Sequence, residues 1–162
     1  MLRDEKYEPM VLYPGDDAIT AKNPKLEQKQ KEGKTLLVIV VDATWFFAKK
    51  MLRLSPNVRC LPKISSEGSY RSQFTFKKQP APECVSTIES CYYLIKEMQS
   101  AGIVDKSVDT EPLMNVFKKM VDFQIKAEEE RLATGIPGNH AYDARRDSNR
   151  KKRKAICPDK ND

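Results

Sequence analysis

Residues 35–54, TLLVIVVDATWFFAKKMLRL, carry the strongest secondary-structure signal in the chain. The first seven residues are apolar or β-branched at odd and even positions alike. This is typical of a strand buried on both faces, as in the centre of a parallel sheet. From Trp45 onward the pattern becomes that of a helix, which Ser55 and Pro56 end. Because a buried strand that leads directly into a helix is the repeating unit of α/β proteins, this stretch predicts an α/β fold.

The flanking sequence predicts further elements of the same kind. Residues 23–34 are polar and predict a surface helix or loop that ends at Gly33. Strands are predicted at residues 8–13, 57–62 and 69–77. A helix opens at Ser86, where Glu89 completes a capping box, and ends near Gly102. A last helix is predicted at residues 111–133, with an inner face of Leu113, Val116, Phe117, Met120, Gln124 and Ala127.

Length and composition set the class of protein. The chain has 162 residues, 40% of them hydrophobic and 32% charged, which suits one domain with a packed core and a charged surface. The longest apolar run is too short to cross a membrane, and the N-terminus does not resemble a signal peptide. These features predict a cytoplasmic protein that does not bind a membrane.

The metal-binding and disulfide-forming residue types are sparse. The four cysteines lie at positions 60, 84, 91 and 157, none in a C-x-x-C pair, and the single histidine is His140. This pattern is unlike a zinc site or a disulfide framework. We therefore predict no metal and expect the thiols to be idle or buried.

Positive charge is concentrated near the C-terminus. Residues 144–154 contain seven basic residues and one acidic residue, a difference of six that equals the net charge of the whole chain, +6. A basic segment of this kind suits a polyanion such as RNA or DNA, although a merely solvated tail has the same composition. We expect a folded domain over residues 1–138 and a basic, disordered tail over residues 139–162.

The turn after residues 35–41 is a candidate site. In α/β sheets, ligands bind beyond the carboxyl ends of the strands, and Asp42 stands there. A carboxylate at the end of a buried strand is costly unless something uses it. The alternatives are that Asp42 or Thr44 caps the next helix and that Trp45 belongs to the core.

Asp42-Ala43-Thr44-Trp45, followed by Ala48-Lys49-Lys50-Met51, resembles the D-x-T-W signature of the DTW-domain family and its continuation. Further similarities, in the order of the family, are Leu12-Tyr13-Pro14-Gly15, Leu61-Pro62, SQFTFKKQP at residues 72–80, STIES at residues 86–90, and the basic ending NRKKRK at residues 149–154. Each motif alone is weak, but five in one order over residues 11–90 are specific.

The chain also departs from the family pattern. Phe74 and Lys77 stand where the family has tyrosine and arginine, and lysine does not replace the bidentate grip of arginine on a carboxylate. The family usually has a cysteine-rich, zinc-binding segment before the L-Y-P-G turn. The chain therefore covers roughly the C-terminal two-thirds of the pattern.

The resemblance implies a tRNA-uridine aminocarboxypropyltransferase that uses S-adenosylmethionine as donor. It also implies a SPOUT-like sheet with helices on both faces and a C-terminal knot. Asp42 is then the candidate base that takes the proton of uridine N3. The predicted donor site comprises Tyr13, Pro14, Gly15, Thr44, Trp45, Lys77, Ser86, Thr87 and Glu89.

The acceptor would be an unpaired uridine in tRNA, because its Watson–Crick edge must be reached. Phosphate contacts are predicted at Lys49, Lys50, Arg53, Arg59, Arg71, Arg150, Lys151, Lys152 and Arg153. For the residues between 49 and 53, an ordinary solvated helix face is the alternative. For the whole chain, the alternatives are a transferase of the same donor class acting on rRNA or transferring methyl, and an RNA-binding remnant without activity.

Overall fold

The computed structural model describes residues 2–74, 81 and 84–134. Its strands are β1 (Tyr7–Leu12), β2 (Thr35–Val40) and β3 (Lys63–Ile64), and its helices are α1 (Pro24–Lys31), α2 (Trp45–Leu54), α3 (Pro56–Arg59), α4 (Thr87–Ser100) and α5 (Glu111–Ala133). The predicted mixed α/β class is confirmed.

The three strands form one parallel sheet in the order β2-β1-β3. Strand β1 lies in the middle, paired along its whole length with β2, from Tyr7 opposite Thr35 to Leu12 opposite Val40. Its consecutive residues Met10 and Val11 are both buried, at 3% and 1% exposure. Because consecutive side chains of a strand point to opposite faces, β1 is covered on both sides.

The prediction that residues 35–41 form a central strand is wrong. Strand β2 is at the edge of the described sheet, with β1 as its single paired neighbour there, and none of its side chains is fully buried. An apolar sequence on both alternations favours a strand with cover on both faces, but it does not determine which strand occupies the centre. The less conspicuous EPMVL stretch does so.

Two other predicted strands are also wrong. Residues 56–59 form the short helix α3, because Pro56 fits the first position of a helix, and the strand follows only at Lys63. Residues 69–74 form no strand, since their segment bonds to side chains of α4, as described below. Residues 75–77 of that prediction lie outside the described residues.

The core lies where α1 and α4 meet the sheet. Its buried side chains are Met10, Ala21, Leu26, Ile64, Leu94 and Met98. They come from both helices, from two strands and from the loop before α1. Burial of several large apolar side chains at about 1.5–3 kcal/mol each gives this cluster its stabilising effect.

The predicted helices are confirmed in extent. Helix α2 spans residues 45–54 as expected, α4 begins directly after Ser86, and α5 spans residues 111–133. The chain divides into two compact units, Met1–Val121 and Asp122–Asp162. In the described part of the second unit, α5 continues and Arg131 donates to Glu128 (Nε–Oε2 2.7 Å).

The predicted inner face of α5 is partly wrong. Phe117 is buried as expected, but its buried companions are Met114 and Val121. Val116 and Met120 of the predicted face are 65% and 43% exposed. Apolar side chains lie on two adjacent stripes of this helix, and only packing decides which stripe turns inward.

Candidate active site at the carboxyl ends of the strands

The turns after β1 and β2 lie side by side. Parallel strands place their carboxyl ends at one edge of the sheet, and β1 and β2 are paired up to Leu12 and Val40. Tyr13 follows β1 and Trp45 opens α2, and their ring centroids are 6.3 Å apart with a 54° angle between planes. The structure thus brings together, through an aromatic contact, the turns that carry Tyr13 and Trp45 of the predicted donor site.

Asp42 lies in the second turn and is exposed. The expectation that its charge is costly because the strand end is buried is therefore wrong: water reaches the carboxylate. Its candidacy as a base rests instead on its position at the strand end and on its open approach. Thr44 is the N-cap of α2 by backbone geometry, but its side chain makes no capping hydrogen bond.

Helix α4 carries a thiol, Cys91, whose pKa responds to the charge of Asp42. Burial raises the pKa of the Cys91 thiol, and the negative charge of Asp42 raises it further. Cys91 lies one turn into α4. From the sequence, the thiols are expected to be idle or buried, because nothing in the sequence connects residue 91 with residue 42.

Gly15 permits a close contact within the protein. A Cβ atom there would lie 2.9 Å from Asp17 Oδ1 and 3.4 Å from Lys63 Nζ. Lys63 donates to both Asp17 oxygens, at 2.7 and 3.0 Å, and this hydrogen bond lowers the pKa of Asp17. The ion pair between Asp17 and Lys63 links the turn after β1 to β3. The close contact is a structural reason for glycine at position 15, in addition to the predicted close approach of the donor.

The Glu89 carboxylate is fully buried, and protein donors surround it. Oε2 accepts from the Ser86 backbone N–H (2.8 Å), the Ser86 hydroxyl (2.7 Å) and the Ser72 hydroxyl (2.7 Å). Oε1 accepts from the backbone N–H of Gln73 at 2.6 Å. The predicted capping box is confirmed, and the same carboxylate also holds residues 72–73 at the start of α4.

A second carboxylate, two turns along α4, holds the preceding part of that segment. Glu97 accepts from the backbone N–H groups of Glu67 and Gly68 and from the Tyr70 hydroxyl at 2.9 Å. The Tyr70 ring stacks on Tyr93, with centroids 3.8 Å apart. Burial and the bond to Glu97 raise the pKa of Tyr70 to about 12.

Residues 89, 93 and 97 form one stripe of α4, because side chains four residues apart lie on the same face of a helix. This stripe binds the backbone N–H groups of Glu67, Gly68 and Gln73 and the hydroxyl groups of Tyr70 and Ser72. It therefore holds the segment against α4 where the sequence predicts a strand at residues 69–74.

The predicted RNA-contacting residues divide into two sets. Arg71 and the α2–α3 residues Lys49, Lys50, Arg53 and Arg59 are exposed, and they form no ion pair with any described residue. Outside the described residues lie Lys77 of the predicted donor site and the predicted tail contacts Arg150, Lys151, Lys152 and Arg153.

Further features of the described residues concern metal clusters, grooves and membrane-spanning helices. They contain no cluster of three or more side chains able to hold a metal ion. A groove of about 410 Å³, lined partly by Thr35, Leu36 and Met98, lies at the amino end of β2, away from Asp42. No helix within the described ranges is both long and apolar enough to cross a membrane.

A model of the DTW domain matches residues 1–125. The match covers the sheet, the Asp42 turn and all of α4. The chain belongs to the DTW-domain family. Among curated relatives, it is 23% identical over 117 residues to a tRNA-uridine aminocarboxypropyltransferase 2 of Macaca fascicularis and 22% identical over 117 residues to that of Mus musculus.

Each alignment covers 72% of this chain and 37% of the relative, so the DTW-family chain spans little more than a third of the length of these relatives. No solved structure matches the chain.

Proposed function

We propose that this DTW-family chain transfers the 3-amino-3-carboxypropyl group of S-adenosylmethionine to N3 of a uridine in tRNA. The observation that carries the proposal is that the D-x-T-W turn lies within the family match and beside the turn after β1. The names of the relatives support a tRNA uridine as acceptor. The SPOUT-like sheet and the C-terminal knot remain part of the proposal.

The bond changes assign a task to Asp42. A new bond forms between uridine N3 and the γ-carbon of the transferred arm, while the bond from that carbon to sulfur breaks and its electron pair stays on sulfur. The N3 proton leaves during the attack. The exposed carboxylate of Asp42 accepts it, since a base must reach the proton within hydrogen-bond distance.

Bound at the carboxyl ends of the strands, the donor supplies an electrophilic carbon on a positively charged sulfur. Tyr13 and Trp45 offer it an aromatic contact, because rings attract cations. Placing N3 in line behind the arm, and not behind the methyl group, determines which group is transferred. We assign that positioning to the Tyr13-Pro14-Gly15 turn and to the start of α2.

The donor also carries a carboxylate, and helix N-termini bind such groups through free N–H groups. At α4, the buried Glu89 already occupies the first turn. At α2, the side chain of Thr44 does not cap the helix, and the first turn has no acidic residue. The start of α2 thus fits a carboxylate best, while Ser86, Thr87 and Lys77 remain predicted contacts.

Thr87 provides a local test of the α4 contact. A Thr87→Leu substitution should weaken donor affinity more than stability if the first residue of α4 touches the donor. Calorimetric titration of the chain with S-adenosylmethionine measures the first quantity and thermal unfolding the second. Equal donor affinity in wild type and variant would leave α4 with a structural role alone.

The proposal itself is tested by product mass. The chain is incubated with unmodified tRNA and with donor labelled either in the arm or in the methyl group, and the nucleosides are then separated. Arm label on uridine is the expected result. Methyl label on uridine would reject the proposal.

Binding of tRNA without any transfer would favour the second candidate, an RNA-binding domain without activity. The specific observation in favour of that candidate is the set of exposed cations Lys49, Lys50, Arg53 and Arg59, which form no ion pair with any described residue.

A further inference from the structure

The first turn of α2 carries an exposed aromatic pair that the proposed transfer does not use. Phe46 and Phe47 are 55% and 53% exposed, and their ring centroids are 5.4 Å apart in an edge-to-face arrangement. The same helix buries Ala48 and Leu52 on its other side. Large apolar side chains that are exposed side by side indicate a contact surface more often than single ones do.

The charge around this pair has one sign. Between Asp42 and Glu67 the chain has five basic residues and no acidic residue. Lys63 pairs with Asp17. The other four, Lys49, Lys50, Arg53 and Arg59, are exposed and have no ionic partner in the part of the chain that the structure describes.

Aromatic rings and cations share one side of the helix. Each residue turns the helix by about 100°, so position 50 falls between positions 46 and 47 around the axis, and position 53 falls beside position 46. We call the set Phe46, Phe47, Lys49, Lys50 and Arg53 the α2 aromatic–basic face. Three cations make this face a poor match for an apolar protein partner, because each would lose its hydration on docking.

We propose that Phe46 and Phe47 form a stacking platform for bases of an unpaired stretch of RNA, whose phosphates contact Lys49, Lys50 and Arg53. Flat rings accept bases of any sequence, and nearby cations accept the backbone. The assignment rests on the proposed function in one respect, the class of the acceptor. It deepens that function because Phe46 follows Asp42 by four residues, so a base held on the platform lies beside the turn that carries the candidate base.

The test compares two RNA forms on the full chain. Wild type and a Phe46→Leu/Phe47→Leu variant are titrated with a single-stranded oligouridylate and with a duplex RNA of equal length. The fluorescence of Trp45, the only tryptophan, reports binding. Met51→Leu is the matched control, because Met51 lies on the same helix, is 46% exposed and is not aromatic.

Wild type and Met51→Leu should prefer the single strand. The double variant should bind the single strand about tenfold more weakly, at the low end of what base–aromatic stacking provides, and should bind the duplex almost as well as wild type does. The slope of log affinity against log salt should not change, because no charge is removed. The two single variants are made as well and should show smaller losses, which keeps the test valid if the double variant does not fold.

Three results would overturn the proposal: no loss in any variant, an equal loss for both RNA forms, or an equal loss in Met51→Leu. A wild-type dimer in sedimentation that disappears in the double variant would also overturn it and would make this face a contact between copies. The titrations contain no donor. A chain that binds RNA through these rings but transfers nothing would therefore leave the platform intact while the proposed transfer fails.

Discussion

Replacing Glu89 by glutamine should destabilise the fold by about 3 kcal/mol. The carboxylate is fully buried, and its two oxygens accept four hydrogen bonds from Ser72, Gln73 and Ser86. An amide keeps one acceptor and turns the other oxygen into a donor. The least costly orientation keeps the oxygen at Oε2, where three donors converge, and directs the new NH2 group at the backbone N–H of Gln73.

The magnitude follows from these contacts. A hydrogen bond to a charged acceptor contributes about 1.5–3 kcal/mol, and a buried donor left unpaired costs about 1–3 kcal/mol. The losses are not additive, because the hydroxyl groups of Ser72 and Ser86 can rotate. A total of about 3 kcal/mol corresponds to a fall in Tm of roughly 10 °C for a domain of this size.

The assay is thermal unfolding followed by circular dichroism, with Glu111→Gln as the matched control. Glu111 also accepts from a tyrosine, Tyr92, and from Lys96, but its side chain is 53% exposed. The control should therefore lose much less stability than Glu89→Gln, because solvent screens an exposed ion pair. Equal changes in both variants, or none in Glu89→Gln, would refute the view that Glu89 anchors the segment at residues 72–73.

Three further predictions concern activity, pH and salt. Asp42→Asn should keep the fold but lower uridine modification by about 10²–10⁴-fold, as loss of a general base does; Asp122→Asn, exposed on α5, is the control, and unchanged turnover would remove Asp42 as the base. The pKa of Tyr70 is raised to about 12 from 10.0, so the folded state holds this proton more tightly than the unfolded state, and its stabilising effect is full below pH 10 and disappears as the pH rises through 12. Denaturant titrations across that range should show a steeper decline in wild type than in Tyr70→Phe. Deleting residues 144–162 should flatten the slope of log tRNA affinity against log salt, by roughly one unit for each phosphate that the tail neutralises in the wild-type complex. Donor binding should be unaffected. Identical slopes would mean that the tail is a solvated terminus.

Local signals predict much of the secondary structure. Helix α2 begins and ends where the change of periodicity and Pro56 place it, and α4 opens at a capping box formed by residues three positions apart. Strand β1 is predictable because Pro14-Gly15 ends an apolar run. Caps, turns and periodicity act over a few residues, so the sequence alone carries them.

The tertiary structure decided the features that depend on distant neighbours. The sequence contains two apolar runs, but only strand pairing places β1 in the centre and β2 at the edge. It predicts a strand from residue 69 onward, but Glu89 binds the backbone N–H of Gln73 there, and Glu97 binds the backbone just before it, at Gly68. The charge of Asp42 raises the pKa of the Cys91 thiol, although the two residues lie far apart in the sequence. In each case, the deciding interaction is with a residue far away in the sequence, which a local pattern cannot reveal.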